Sequence, residues 1–182
     1  MMKLTHILQK AAHQYPERPG ITFAGRTRTW SEVLERCEKL AGALTSLGLK
    51  AGDRCAILTH NSSVMAECFY GPLWCGVVPV PMNWRWTLQE LKPCFDDCEP
   101  VLLVVDSAHA KLALELKARC SALQTLVYAS EGEAPEGFVS YESLVDGAAR
   151  ISHSPYGGED LAAIVYTGGT TGRSKGAMIT HG

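Results

Sequence analysis

Val101-Leu102-Leu103-Val104-Val105 is an unbroken apolar run. A strand with one wet face alternates polar and apolar side chains, so a run of branched aliphatics without alternation fits a strand covered on both faces. Working outward, the same texture recurs upstream in AGDRCAILTH (51–60) and GVVPVP (76–81), and downstream in TLVYA (125–129) and LAAIVYT (161–167). Helical periodicity fills the gaps. Thr29 stands three residues before Glu32, a capping-box spacing, and Val33, Cys37, Leu40, Leu44 and Leu47 follow on one face until Gly48. Asn61 or Ser62 can cap a helix carrying Val64, Met65, Cys68, Phe69 and Leu73. Thr87 and Glu90 repeat the capping box and open a helix to about Asp97. A helix with Leu112, Leu114 and Leu116 and a short one near Tyr141 to Val145 complete the set.

At the amino end, Leu4, Ile7, Leu8, Ala11 and Tyr15 share one helical face, and GITFAGRTRTW reads as a hairpin turning at Ala24-Gly25-Arg26. SEGEAPEGF (130–138) is acidic and rich in Gly and Pro, hence a surface loop. Alternating strands and helices predict an α/β fold, a layered sandwich with mainly parallel strands.

Composition excludes several function classes. The 182 residues carry 17 Lys plus Arg against 19 Asp plus Glu, a formal charge of −2, which leaves no cation surplus for a phosphate backbone. No nucleic-acid partner is expected. With 46 % hydrophobic and 20 % charged residues the chain can build a sizeable core without a metal or disulfide staple. Polar residues interrupt the amino-terminal helix, and Gly71, Pro72, Gly76, Pro79 and Pro81 break the longest uncharged stretch, so neither a signal peptide nor a transmembrane segment is read. A cytoplasmic protein is expected. The seven cysteines include no Cys-x-x-Cys pair and read as packed, reduced thiols. The six histidines are scattered without a His-x-x-x-His pair, so no zinc site is expected. Asp96, Asp97 and Glu99 are expected at a helix end facing solvent. Trp84, Arg85 and Trp86 read as an aromatic turn between strand and helix.

One segment stands apart chemically: Tyr166-Thr167-Gly168-Gly169-Thr170-Thr171-Gly172-Arg173-Ser174-Lys175-Gly176, directly after the apolar strand. Glycines let a backbone approach a ligand, and successive amides in such a turn can form an anion-binding concavity. Hydroxyls of Thr167, Thr170, Thr171 and Ser174 can donate to phosphate oxygens or meet Mg²⁺, and Lys175 adds a compact positive charge. Two other readings stand beside it. Gly, Thr and Ser also make ordinary hairpins, here between LAAIVYT and GAMIT. A Walker loop needs Gly, four residues, then Gly-Lys-Ser/Thr; counted from Gly168, Ser174 takes the second glycine's place and Gly176 follows Lys175, so the pattern fails.

YTGGTTGRSKGAMITH (166–181) resembles the phosphate loop of the AMP-forming adenylating enzymes: acyl-CoA synthetases, luciferase-like proteins and peptide-synthetase adenylation domains. The usual form is Tyr-Thr-Ser-Gly-Thr-Thr-Gly-x-Pro-Lys-Gly, followed by Thr-His; Gly168 replaces the Ser and Ser174 the Pro. GVVPVPMNWRWTLQEL (76–91) is similar to the family's Pro-x-Asn-x-Arg-x-Thr-x-x-Glu-Leu segment, and residues 4–58 look like its opening stretch.

The resemblance implies that residues 1–182 are the N-terminal portion of an adenylation domain, the start of an acid–thiol ligase. Its reaction joins a carboxylic acid, fatty or aryl, to coenzyme A through an acyl-adenylate, releasing AMP and pyrophosphate. It assigns Thr167, Gly168, Gly169, Thr170, Thr171 and Gly172 to the ATP phosphates, Thr170 to Mg²⁺, and Lys175 to a phosphate- or loop-positioning role. His181 matches the Thr-His position. Small molecules are the implied partners, with a homo-oligomer as a further possibility. A naturally short, non-catalytic relative and another adenylating branch are the alternatives.

Family members are much longer than this chain, so an N-terminal fragment without turnover is expected. One lysine–phosphate pair is worth about 1–4 kcal/mol before its costs, against about 8 kcal/mol for micromolar binding. Millimolar ATP affinity at best is expected of residues 1–182.

Overall fold

The computed structural model describes residues 1–168 and 174–182. The chain opens with α1 (Thr5–Gln14) and a hairpin, β1 (Pro19–Phe23) and β2 (Arg26–Thr29), turning through Ala24 and Gly25, both at positive φ. Next come α2 (Trp30–Ser46), β3 (Arg54–Leu58), α3 (Ser63–Tyr70), β4 (Val78–Pro81) and α4 (Leu88–Cys98). Then follow β5 (Leu102–Val105), α5 (Ala110–Lys117), β6 (Thr125–Tyr128), β7 (Val139–Ser140) and α6 (Tyr141–Asp146). The last pair is β8 (Leu161–Thr167) and β9 (Lys175–Thr180).

Strands β4-β3-β5-β6-β7 form one parallel sheet in that order. The run that opened the sequence reading lies at its centre, with Leu103 between Ala56 and Leu126 in register and all four residues of β5 buried. Alternation of side chains then divides the core. Leu103 and Val105 join Ala56, Leu58, Val80 and Leu126 on one face, under Leu91, Phe95 and Leu116 of α4 and α5. Leu102 and Val104 join Cys55, Ile57 and Val127 on the other, under α2, α3 and α6 through Leu40, Leu44, Cys68, Tyr141 and Val145. Helices on both faces explain why β5 shows no polar alternation. The expected α/β layered fold with mainly parallel strands is what forms.

Local signals place the elements. At α2 the Glu32 amide donates to Thr29 Oγ1 (3.3 Å) and the Thr29 amide to Glu32 Oε2 (2.6 Å), a reciprocal capping box. Thr87 and Glu90 form the second, and Ser62 caps α3. Prolines 79 and 81 sit in β4, the edge strand, where a missing ladder donor costs least.

Three features differ from the sequence reading. The buried stripe of α1 is Thr5, Leu8 and Ala12, leaving Ile7 and Tyr15 exposed. Docking on Val33, Cys37 and Ala41 of α2 chooses the stripe, overriding a face read from apolar spacing alone. Strand β7 is a two-residue addition after the acidic loop, too short to carry a pattern. Strands β8 and β9 pair antiparallel as a separate ribbon beside β4. The cysteines are free and packed as expected; burial pushes the Cys55 thiol up to about 12 and those of Cys94 and Cys98 to about 11.

Candidate functional site

The β8–β9 ribbon flanks the Gly/Thr-rich segment in the chain. Register pairs Thr167 with Lys175, so the hydroxyl and the ammonium flank the neck of the turn, and both residues are exposed. Gly168 is exposed, with nothing within 4 Å of where a Cβ would stand. Gly169, Thr170, Thr171 and Gly172, expected to hold phosphate, lie outside the described residues, as does Arg173. Gly176 has a packing role: a Cβ there would come within 2.9 Å of Ile164 Cγ2 and 3.1 Å of the Tyr166 ring.

The ribbon is anchored to the layer beneath. Buried Tyr166 donates its hydroxyl to Asp97 Oδ2 (2.5 Å), with the Cys94 carbonyl at 3.2 Å. Burial, then that bond to a carboxylate, raises the phenol well above its ordinary pKa, so it remains a donor. A groove beside the neck is lined by Pro93, Asp96, Asp97, Ser174, Lys175 and Gly176. Its carboxylates are engaged, Asp96 with Lys92 and Asp97 with Tyr166, which moderates their competition for Lys175. Asp96, Asp97 and Glu99 are exposed as expected, but Asp97 also holds the ribbon in place.

His181 proves structural. It is 2 % exposed, and its Nδ1 accepts from the Leu4 amide at 3.1 Å, tying the start of α1 to the end of β9. Burial depresses its pKa, Asp160 opposes and Lys3 assists, so the neutral ring that can accept is favoured.

A second cluster lies at the carboxyl ends of β3 and β5. Asp106 follows β5, and its Oδ2 is 2.7 Å from His60 Nδ1 while its Oδ1 is 2.5 Å from His109 Nδ1. The amides of His60 and His109 also donate to this carboxylate. His109 Nε2 faces the Trp84 carbonyl at 2.9 Å, and the Trp84 ring lies 4.5 Å from that of His60. Burial raises the Asp106 pKa, but the His60 amide and the two imidazoles outweigh it, so the carboxyl lies below its usual range. The histidines are therefore not all scattered: the fold brings two of them together around one carboxylate. Asp106-x-x-His109 at a strand exit was the local signal for it, but His60 is too distant in sequence to be paired by spacing. Trp84 does occupy the turn before α4, as expected, with its ring against His60.

Among known proteins, residues 8–182 match the family model described as AMP-binding enzyme. The chain belongs to the AMP-binding enzyme family. An indoleacetate–CoA ligase of Aromatoleum aromaticum is 28 % identical over 183 residues, covering 100 % of this chain and 35 % of that protein. A feruloyl-CoA synthase of an Amycolatopsis species is 30 % identical, covering 95 % and 32 %. In structure, ATP-bound MatB of Rhodopseudomonas palustris matches with TM-score 0.83 and 31 % identity, over 100 % of this chain and 35 % of that one. The inhibitor-bound N-terminal domain of FACL13 from Mycobacterium tuberculosis matches with TM-score 0.88 and 26 % identity, over 100 % and 45 %. The chain thus spans about a third of the length of the curated AMP-binding relatives it matches. Among the described residues, no helix is long and apolar enough to cross a membrane.

Proposed function

We propose that the chain is the N-terminal portion of the adenylation domain of an AMP-forming acid–thiol ligase. A carboxylate oxygen attacks the α-phosphorus of ATP and pyrophosphate leaves; the coenzyme A sulfur then attacks the acyl carbon and AMP leaves. The observation that carries the reading is the family match over residues 8–182, which includes the whole Gly/Thr-rich turn and both strands of its ribbon. Relatives named as indoleacetate and ferulate ligases support an aryl acid as the substrate class, and a solved neighbour provisionally named a long-chain-fatty-acid CoA ligase supports a fatty acid beside it.

In this reading Thr167, Gly168, Gly169, Thr170, Thr171 and Gly172 supply amide and hydroxyl donors to the β- and γ-phosphates. Lys175 meets the charge that remains. Its place opposite Thr167 in the register supports that role. Hydroxyl oxygens are hard donors of the kind Mg²⁺ accepts, and Thr170 is assigned to the ion that accompanies the nucleotide. Mg²⁺ would neutralise phosphate charge; the chain's own part is to hold the tail in line and donate to it.

ATP–pyrophosphate exchange by the full-length protein with a panel of aryl and fatty acids tests the proposal. Acid-dependent exchange is expected, falling about 10²–10³-fold in Lys175→Ala or Thr170→Ala by analogy with loss of one preorganised donor. No acid-dependent exchange with any acid would overturn it. Residues 1–182 alone are expected to bind ATP no better than millimolar in a calorimetric titration, without turnover.

A further inference from the structure

The parallel sheet has a topological switch point. From β3 the chain crosses to β4 on one side, then passes back to β5 on the other, so the connections diverge between β3 and β5. A crevice opens at the carboxyl ends of two strands related in this way. His60 stands just past β3, and Asp106 and His109 just past β5.

Two imidazoles converge here on one carboxylate. His109 Nε2 meets a carbonyl, which only accepts, so Nε2 carries a hydrogen and donates it. Nδ1 of the same ring points at Asp106 Oδ1 from 2.5 Å. At that distance the two atoms share a proton, which occupies the place a metal ion would take. His60 Nδ1 faces the other oxygen of the same carboxylate. The three ligand atoms lie within 4.8 Å of one another, and the His60 side chain is half exposed while those of Asp106 and His109 are largely buried.

We propose that His60, Asp106 and His109 form a site for a divalent transition ion of the zinc class. Two imidazoles and a carboxylate are the donors such an ion prefers, whereas Mg²⁺ and Ca²⁺ take oxygen ligands. The Trp84 carbonyl serves as the outer partner that sets the His109 tautomer, and the amides of His60 and His109 fix the carboxylate. Metal–ligand bonds of about 2.0–2.1 Å in a tetrahedron place ligand atoms about 3.3 Å apart. The two Asp106–imidazole separations, 2.7 and 2.5 Å, therefore widen by about 0.6–0.8 Å when the ion replaces the bridging protons. Exposure of His60 leaves the fourth position to water or an exchangeable anion. The site rests on the carboxyl ends of β3 and β5 and stands or falls independently of the ligase reading.

The test uses metal-stripped protein titrated with Co²⁺ and followed by visible absorption, then challenged with Zn²⁺. One Co²⁺ per chain is expected, with d–d bands, no thiolate charge-transfer band, and displacement by Zn²⁺. His60→Ala, at a half-exposed position, keeps the fold and weakens binding about tenfold or more; Asp106→Asn does likewise. Imidazole nitrogen resonances of His60 and His109 shift on Zn²⁺ addition. Absence of saturable binding, a thiolate band placing the ion on cysteines, unchanged affinity in His60→Ala, or unmoved resonances of both histidines would each overturn the proposal.

Discussion

The parallel sheet and the β8–β9 ribbon are both built from apolar strands, yet they meet opposite fates. Every residue of β5 is buried between two helical layers. In β9, Met178 is 75 % exposed and Ile179 42 %, while Ile164 and Tyr166 of β8 pack against the sheet's core cluster. The sheet holds itself together by burial on both sides. The ribbon depends on a few specific ties: Tyr166 to Asp97, and His181 to Leu4. The chemically distinctive turn is mounted on the less self-sufficient of the two.

The largest expected effect breaks the sheet. Leu103→Ala empties a fully buried position in the central strand and is expected to cost about 2–5 kcal/mol in chemical denaturation. Tyr166→Phe leaves the packing but removes the tie to α4, costing about 1 kcal/mol; Asp97 is exposed and rehydrates. Acid sharpens the contrast further. His181 has its folded pKa depressed from 6.5, so the unfolded chain binds more protons in that window. The stabilisation is complete above about pH 6.5 and is lost as pH falls through the folded value. Amide exchange at Leu4 is expected to accelerate on acidification, corrected for intrinsic rates, before exchange in β5 does. The smallest effect is Met178→Ser, within about 0.5 kcal/mol, since that side chain is already in water.

The sheet was legible because its strands announce themselves locally: VLLVV without alternation, two capping boxes, and Gly48 after α2. The segment between residues 167 and 175 stood out in the sequence because its glycines, hydroxyls and lysine are contiguous, while residues 169–173 lie outside the described residues. Long-range pairings were not. Nothing local assigns His181 to the amide of Leu4, or Asp97 to Tyr166 across 69 residues.

By itself, then, the sequence determined the α/β class, most helix and strand positions and the family, all of which depend on patterns within a few turns of chain. Only the tertiary structure decided which stripe of α1 is buried, that β8 and β9 stand apart from the sheet, and that His60 meets Asp106 and His109. The physical reason is common to all three. Local propensity is set by near neighbours, whereas strand order brings residues 46 positions apart within hydrogen-bond reach.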